Sequence, residues 1–193
     1  MNEVWRRAPG KRVAIVAGCR TPFARAGGVL ALESSLDLAR TAVAELLHRA
    51  ELPAREVDRV ILGTVVPNVE APNLAREAAL AAGLPRSTEG YTVSRACASA
   101  NQAIANAFDA VASGDALTVI AGGAESLSNV PILASKKLAR ALVAASKARG
   151  WRKKLGAFEG IKVKDLFPVA PAIAEHATGL TMGASAEKMA QEN

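Results

Sequence analysis

Cysteine, histidine and aromatic rings are all scarce in this chain. Cys19 and Cys97 are the only thiols in 193 residues, and His48 and His176 are the only imidazoles. Two cysteines so far apart make no disulfide framework, so a reducing compartment is the default reading. Two Cys and two His without ligand spacing exclude the ordinary zinc sites. Rings make up only 4% of residues, so the core must be built from Ala, Val, Leu and Ile. No apolar run approaches the roughly 18 residues of a membrane span. The opening Met1-Asn2-Glu3-Val4-Trp5-Arg6-Arg7 lacks the apolar centre of a secretory signal and is short for a transit peptide. There is no Walker loop, no dinucleotide glycine fingerprint and no Gly-x-Ser-x-Gly elbow.

What is present is a chain that is half hydrophobic with a formal charge of +6. Its length suits one ordinary domain with a substantial core. The charge fits an anionic partner without identifying it. Val13-Ala14-Ile15-Val16-Ala17 reads as a first, fully buried strand ending at Gly18. Ser34 is placed to cap a helix, with Asp37 in its first turn and Leu36, Ala39, Val43, Leu46 and Ala50 on one face. Residues 57–66 give a second strand, and 73–82 an Ala-rich helix closed by Gly83 and Pro85. Residues 88–93 form a third strand candidate, 97–113 a helix stopped by Gly114, and 117–121 a fourth strand ending at Gly122-Gly123. Alternation of apolar strands with helices predicts an α/β fold whose sheet is mostly parallel and covered on both faces. Ligands of such sheets bind outside the carboxyl ends of the strands. The segments after Val93 and Ala121 lie near such an edge.

From Glu125 the pattern changes. Residues 133–149 form a basic helical segment, and 150–181 are rich in breaks. Long irregular stretches in compact proteins are commonly covers or binding segments. A last helix begins at Gly183, and the pattern stops inside it with no cap after Glu192-Asn193, which reads as a truncated chain.

Cys97 carries the chemistry. It falls where a β-branched run gives way to an Ala-rich helix, so the sequence places its thiol at the positive end of that helix. Such placement can lower a cysteine from about 8.5 into the roughly 3.5–7.5 range and make it a nucleophile. A buried structural cysteine is the competing reading. His48 sits late in a helix, where its charge suits the negative end. His176 paired with Cys97 would be an ordinary nucleophile–base arrangement, but a solvated loop histidine is the plainer reading.

The run Val93-Ser94-Arg95-Ala96-Cys97-Ala98-Ser99-Ala100-Asn101-Gln102-Ala103-Ile104 resembles the nucleophile segment of thiolases. Three further segments agree in order. Arg20-Thr21-Pro22-Phe23 resembles the family's N-terminal loop. Gly122-Gly123-Ala124-Glu125-Ser126-Leu127-Ser128-Asn129-Val130-Pro131 resembles the loop after its fourth strand. Thr181-Met182-Gly183-Ala184-Ser185-Ala186-Glu187 resembles the return from its cover loops. The details are most similar to the β-subunit type of the fatty-acid oxidation trifunctional complex.

The resemblance implies a five-stranded, mostly parallel sheet layered between helices with a basic helical insert. It divides the chain into an α/β core at 1–123, an insert at 124–181 and a returning core helix at 182–193, with the C-terminal thiolase domain absent. It implies thiolytic cleavage of a 3-ketoacyl-CoA, with Cys97 carrying the acyl group and its backbone N–H in the oxyanion hole. Met182 matches the family's pocket methionine. No metal or redox cofactor is implied; coenzyme A is the co-substrate. The implied state is a cytoplasmic homodimer, with a hydratase/dehydrogenase α-subunit as a further partner.

The family's Gly-His-Pro, Cys-x-Gly and Asn-Glu-Ala motifs do not occur here. The isolated chain is therefore expected not to turn over unless a second chain supplies them. A non-catalytic thiolase-like subunit binding acyl-CoA or lipid is the alternative. Residues 133–164 hold ten Lys and Arg, with Glu159 the only acid among them. A solvated face is the plain reading. Nucleic acid is disfavoured because no aromatic ladder accompanies the charges. The resemblance points instead to coenzyme A phosphates, the partner subunit or peripheral contact with an anionic membrane.

Overall fold

Three of the helix signals in the sequence become helices where a side chain closes the first turn, at Ser34, Asn73 and Ser135. The computed structural model describes residues 12–169 and 174–192; the opening Met1–Arg7 segment and Asn193 lie outside them. The chain divides into two units, Met1–Pro131 and Ile132–Asn193.

In the first unit, α1 spans Ser35–Arg49. Ser34 caps it by accepting from the Asp37 N–H, while the Asp37 carboxylate accepts from the Ser34 N–H at 3.1 Å. This reciprocal pair satisfies two of the donors a helix start leaves open. β1 follows at Arg59–Gly63, α2 at Leu74–Ala81, β2 at Glu89–Val93, α3 at Ser99–Ser113 and β3 at Val119–Gly123. Gly114 ends α3 in the left-handed conformation, the usual glycine stop. Asn73 caps α2 and also donates to the Gly90 carbonyl, so one side chain fixes the helix against β2.

The sheet has order β2-β1-β3, with both pairings parallel. Successive residues of a strand face opposite sides. Val60 and Leu62 therefore meet α1 and α2 through Ala39, Val43, Leu74, Ala75, Ala78 and Ala79, while Ile61 meets Ala103 and Ala107 of α3. Burial of Val60 and Ile61 is complete, each worth about 1.5–3 kcal/mol. The paucity of rings is met by alanines that let helices approach closely.

Asp58 ties the amino ends of the strands together. Its carboxylate accepts from the N–H groups of Leu117 and Thr118 at 2.7 and 3.0 Å, and its carbonyl accepts from the Glu89 N–H. Those two N–H groups hold the Asp58 carboxyl below the usual carboxylate range.

The α/β class with a parallel sheet between helices is as the sequence predicts. The strand count is corrected: three strands form among the described residues, not five. Val13–Ala17 is not a buried strand. Ile15 and Val16 are 86% and 93% exposed and join no ladder. An extended apolar run becomes a strand only where a neighbour takes its backbone groups, and none does so here.

The second unit holds α4 at Lys136–Lys147, α5 at Trp151–Gly156 and α6 at Met182–Glu192. The single helix expected over 133–149 is shorter, and a separate helix follows it. Gly150, at φ 89°, turns the chain between them. Ser135 caps α4 by accepting from the Leu138 N–H, and its hydroxyl donates to the Asp165 carbonyl at 2.8 Å. Asp165 in turn accepts from the Lys162 N–H, which holds its carboxyl below the usual range. Leu133 and Val169 pair in a short antiparallel bridge.

Candidate active site

The carboxyl ends of the three strands and the start of α3 are locked together by backbone and one carboxylate. The Thr64 N–H donates to the Val93 carbonyl at 3.2 Å and the Ala124 N–H to the Gly63 carbonyl at 3.1 Å. Glu125 completes the set. Its carboxylate accepts from the Val65 N–H at 2.7 Å, from the Val66 N–H at 3.2 Å and from the Thr64 hydroxyl at 3.2 Å. Three donors on one carboxylate fix the segment after β1 relative to the segment after β3.

The start of α3 lies against bare backbone. A Cβ on Gly63 would sit 2.4 Å from the Ser99 carbonyl carbon and 2.6 Å from the Ala100 nitrogen. A Cβ on Gly123 would sit 2.8 Å from the Gly63 oxygen. No side chain fits at either place, so glycine permits the close approach.

Cys97 is exposed in the turn between β2 and α3. The sequence puts it on the first turn of the helix. The structure places it two residues earlier, because α3 starts at Ser99 and Ala98 is its cap. Ala96, immediately before the thiol, has φ 46°, which sets an additional tight turn ahead of the helix. Ala98 offers no side-chain cap, so the first N–H groups of α3 are not claimed by a capping side chain. Arg95 leans along the helix and donates to Gln102 Oε1 at 2.6 Å; Gln102 donates to Asn106 at 2.7 Å. An accessible thiol, an uncapped helix start and the edge of a parallel sheet together suit nucleophilic attack on an acyl carbon with backbone donors for the oxyanion. The competing reading of a buried structural cysteine is excluded by exposure.

The other expected residues lie elsewhere. His48 is in the last turn of α1, as its helix-end reading predicts. Cys19 is half-buried and donates to the Ala42 carbonyl at 3.2 Å. It lines a cleft of about 480 Å³ with Arg20, Phe23, Arg25, Leu38 and Glu125, a cleft that Cys97 does not line. Ser128 and Ser126 tie that loop to the chain before α1, accepting from the Gly27 N–H and donating to the Glu33 carbonyl. Met182 and His176 belong to the second unit; Met182 opens α6 and is 83% exposed. No cluster of metal-binding side chains occurs among the described residues.

Gly63, Ser99 and the bonding role of Glu125 escape sequence reasoning. A glycine inside the apolar run Val60-Ile61-Leu62-Gly63 was the available signal, since a strand glycine marks a close backbone approach.

A family model described as "Thiolase, N-terminal domain" matches residues 13–193. A 3-ketoacyl-CoA thiolase of Escherichia coli (strain 55989 / EAEC) is 48% identical over 94% of this chain and 42% of its own length. One of Aeromonas salmonicida (strain A449) is 46% identical over 95% of this chain and 42% of its own. The chain thus spans about two-fifths of the length of these relatives. Among solved structures, the Bacillus anthracis acetyl-CoA acetyltransferase superposes with a TM-score of 0.72 at 29% identity, covering 92% of this chain and 41% of that one. The Acat5 thiolase of Ascaris suum, in complex with coenzyme A, superposes with a TM-score of 0.69 at 24% identity, over 90% and 41%. An accessible cysteine at the edge of a three-stranded parallel sheet is thus found in a chain that belongs to the thiolase family, matching its N-terminal domain.

Proposed function

We propose that this chain is the N-terminal portion of a 3-ketoacyl-CoA thiolase and that Cys97 is its nucleophile. The carrying observation is the exposed Cys97 thiol, held in a fixed turn at the carboxyl edge of the sheet and followed by an uncapped helix. The Cys97 sulfur attacks the 3-keto carbon, and the bond between carbons 2 and 3 breaks. The two-carbon fragment leaves as acetyl-CoA once protonated, and the shortened acyl group stays on Cys97 as a thioester. The thiol of a second coenzyme A then takes the acyl group and frees Cys97. The Cys97 N–H is a donor to the oxyanion, and Met182 is the residue assigned to binding substrate. No metal or redox group takes part in this scheme. The 193 residues contain no Gly-His-Pro and no Cys-x-Gly, so they do not turn over alone.

Acetyl-CoA tests this reading. The chain is incubated with it, alone and mixed with the C-terminal half of a relative. Mass spectrometry should find acetyl on the Cys97 peptide of the mixture and none after Cys97→Ser. Acetyl on Cys19 instead, or on neither thiol of the mixture, would remove the proposal.

The proposal extends to location and partners. The working state is a cytoplasmic homodimer with a hydratase/dehydrogenase α-subunit alongside. The second unit contacts anionic membrane surface through 133–164. No helix among the described residues is long and apolar enough to cross a membrane. The support is that Leu142, Val143, Trp151, Leu155 and Val163 are all exposed among the lysines and arginines of this stretch, a pairing that suits an interfacial helix. Pelleting with anionic vesicles that fades with salt is the expected result.

A further inference from the structure

We infer that Ser99 is a positioning residue for Cys97, its hydroxyl clamping the left-handed turn at Ala96 that presents the thiol. The purpose of the clamp rests on Cys97 being the nucleophile; its existence does not.

A non-glycine residue at positive φ persists only where its surroundings over-determine it. Two such residues occur among the described residues, Glu51 at 47° and Ala96 at 46°. Glu51 follows the C-cap of α1, where the left-handed conformation is the ordinary helix ending. Ala96 comes before a helix and has no such excuse. Its side chain is exposed, so packing does not hold it either.

Hydrogen bonds do. Ser99 is 4% exposed. Its Oγ accepts from the Arg95 N–H at 2.8 Å and donates to the Ala96 carbonyl at 2.6 Å. The Ser99 N–H donates to that same carbonyl at 3.1 Å, and the Ala98 N–H donates to the Arg95 carbonyl at 3.0 Å. These four bonds bracket Cys97 from both sides and leave its sulfur outside the network. A hydroxyl is the smallest group that accepts and donates at once. Alanine can do neither, and a carboxylate lacks the proton. The β1 backbone at Gly63 approaches the Ser99 carbonyl so closely that no Cβ fits between them, which seats the backbone of residue 99 against the sheet.

The clamp makes a specific genetic prediction, because Ala96 and Ser99 act on one backbone conformation. Ser99→Ala removes the clamp. Ala96→Val keeps the clamp but adds a β-branched residue that resists positive φ. Ala96→Gly removes the strain, so in the Ser99→Ala background it should restore the turn without the hydroxyl. A residue needed only for packing would not be rescued from an exposed position.

The experiment uses the 193-residue chain, its thermal midpoint, deuterium uptake across 95–99 and the iodoacetamide alkylation rate of Cys97 read by peptide mass. Ser99→Ala and Ala96→Val should each speed exchange across 95–99 about tenfold and slow Cys97 alkylation about fivefold as the thiol leaves its orientation. Ser99→Ala/Ala96→Gly should return alkylation to within about threefold of the parent. Wild-type exchange and alkylation in Ser99→Ala overturn the clamp. So does a double variant that stays at the Ser99→Ala level. Acetyl transfer is scored apart: its absence from the mixture with the C-terminal half defeats the proposed function, while exchange and alkylation still decide the clamp.

Discussion

The two units solve opposite problems with the same amino acids. In residues 12–131, apolar side chains of the sheet are covered by helices on both faces, and Val60, Ile61 and Ala75 are fully out of water. In residues 132–192, Ala141 is the one buried apolar residue among those described, while Leu142, Trp151, Leu155 and Phe167 stay exposed. The second unit is ordered by local polar devices: the Ser135 cap, the bond from Ser135 to the Asp165 carbonyl, and Lys137 reaching both Gly160 and Asp165. An amphipathic pattern makes a helix wherever a cap starts one. It makes a core only where another apolar face meets it.

Four experiments bear on this contrast. The largest effect belongs to the sheet. Ile61→Ala should cost the first unit about 3–4 kcal/mol in urea unfolding followed by circular dichroism, because the cavity has no room to collapse between β1 and α3. A loss near zero would mean that the first unit has no more of a core than the second.

Glycine substitution comes next. Gly63→Ala should cost about 2–3 kcal/mol, since its Cβ would land on the Ser99 backbone. Gly156→Ala, with nothing within 4 Å of its Cβ, should gain about 0.5 kcal/mol from helix propensity. Equal thermal shifts for the two would deny the tight approach at the candidate site.

Acid comes third. The folded pKa of Asp58 lies below its unfolded value, because the N–H groups of Leu117 and Thr118 favour the carboxylate. Its stabilisation is therefore present above the unfolded value near 4 and is lost as pH falls through the folded value. Asp58→Asn should remove about 1 kcal/mol at pH 7, screening by solvent included. It should also flatten the acid limb of the stability curve. An unchanged slope below pH 4 would show that another carboxylate governs it.

The smallest effect is expected on α4. Leu142→Ala should change unfolding by less than about 0.5 kcal/mol, because the side chain is exposed. The same substitution should weaken pelleting with anionic vesicles. A large stability loss would reveal a covered face where the structure shows an open one.

Much of the first unit was legible as written. Ser34 and Asn73 start helices because their oxygens reach a backbone N–H three residues on, and Gly114 stops one because only glycine takes φ 88° without strain. Local chemistry suffices for such decisions. Residues 57–66 read as a strand because a continuous apolar run can be buried on both faces, and 59–63 of them form one. Val13–Ala17 has the same composition and the opposite outcome, because pairing depends on a neighbour that its own letters do not encode. Cys97 was legible as a nucleophile candidate from its place between a β-branched run and a helix. Its distance from that helix was not, because Ala96 shows no preference for the left-handed region and Ser99 imposes it through three bonds across the turn.

The sequence by itself determined where α1 and α2 begin and where α3 ends, which residues can fill a sheet without rings, and which thiol stands at the junction. Those are short-range matters, settled by capping oxygens, side-chain volume and backbone freedom within a few positions. Tertiary structure alone decided which apolar runs pair, how closely α3 approaches Gly63 and Gly123, and that Glu125 binds a segment sixty residues away. Those depend on hydrogen-bond partners and excluded volume that meet only when distant parts of the chain come together.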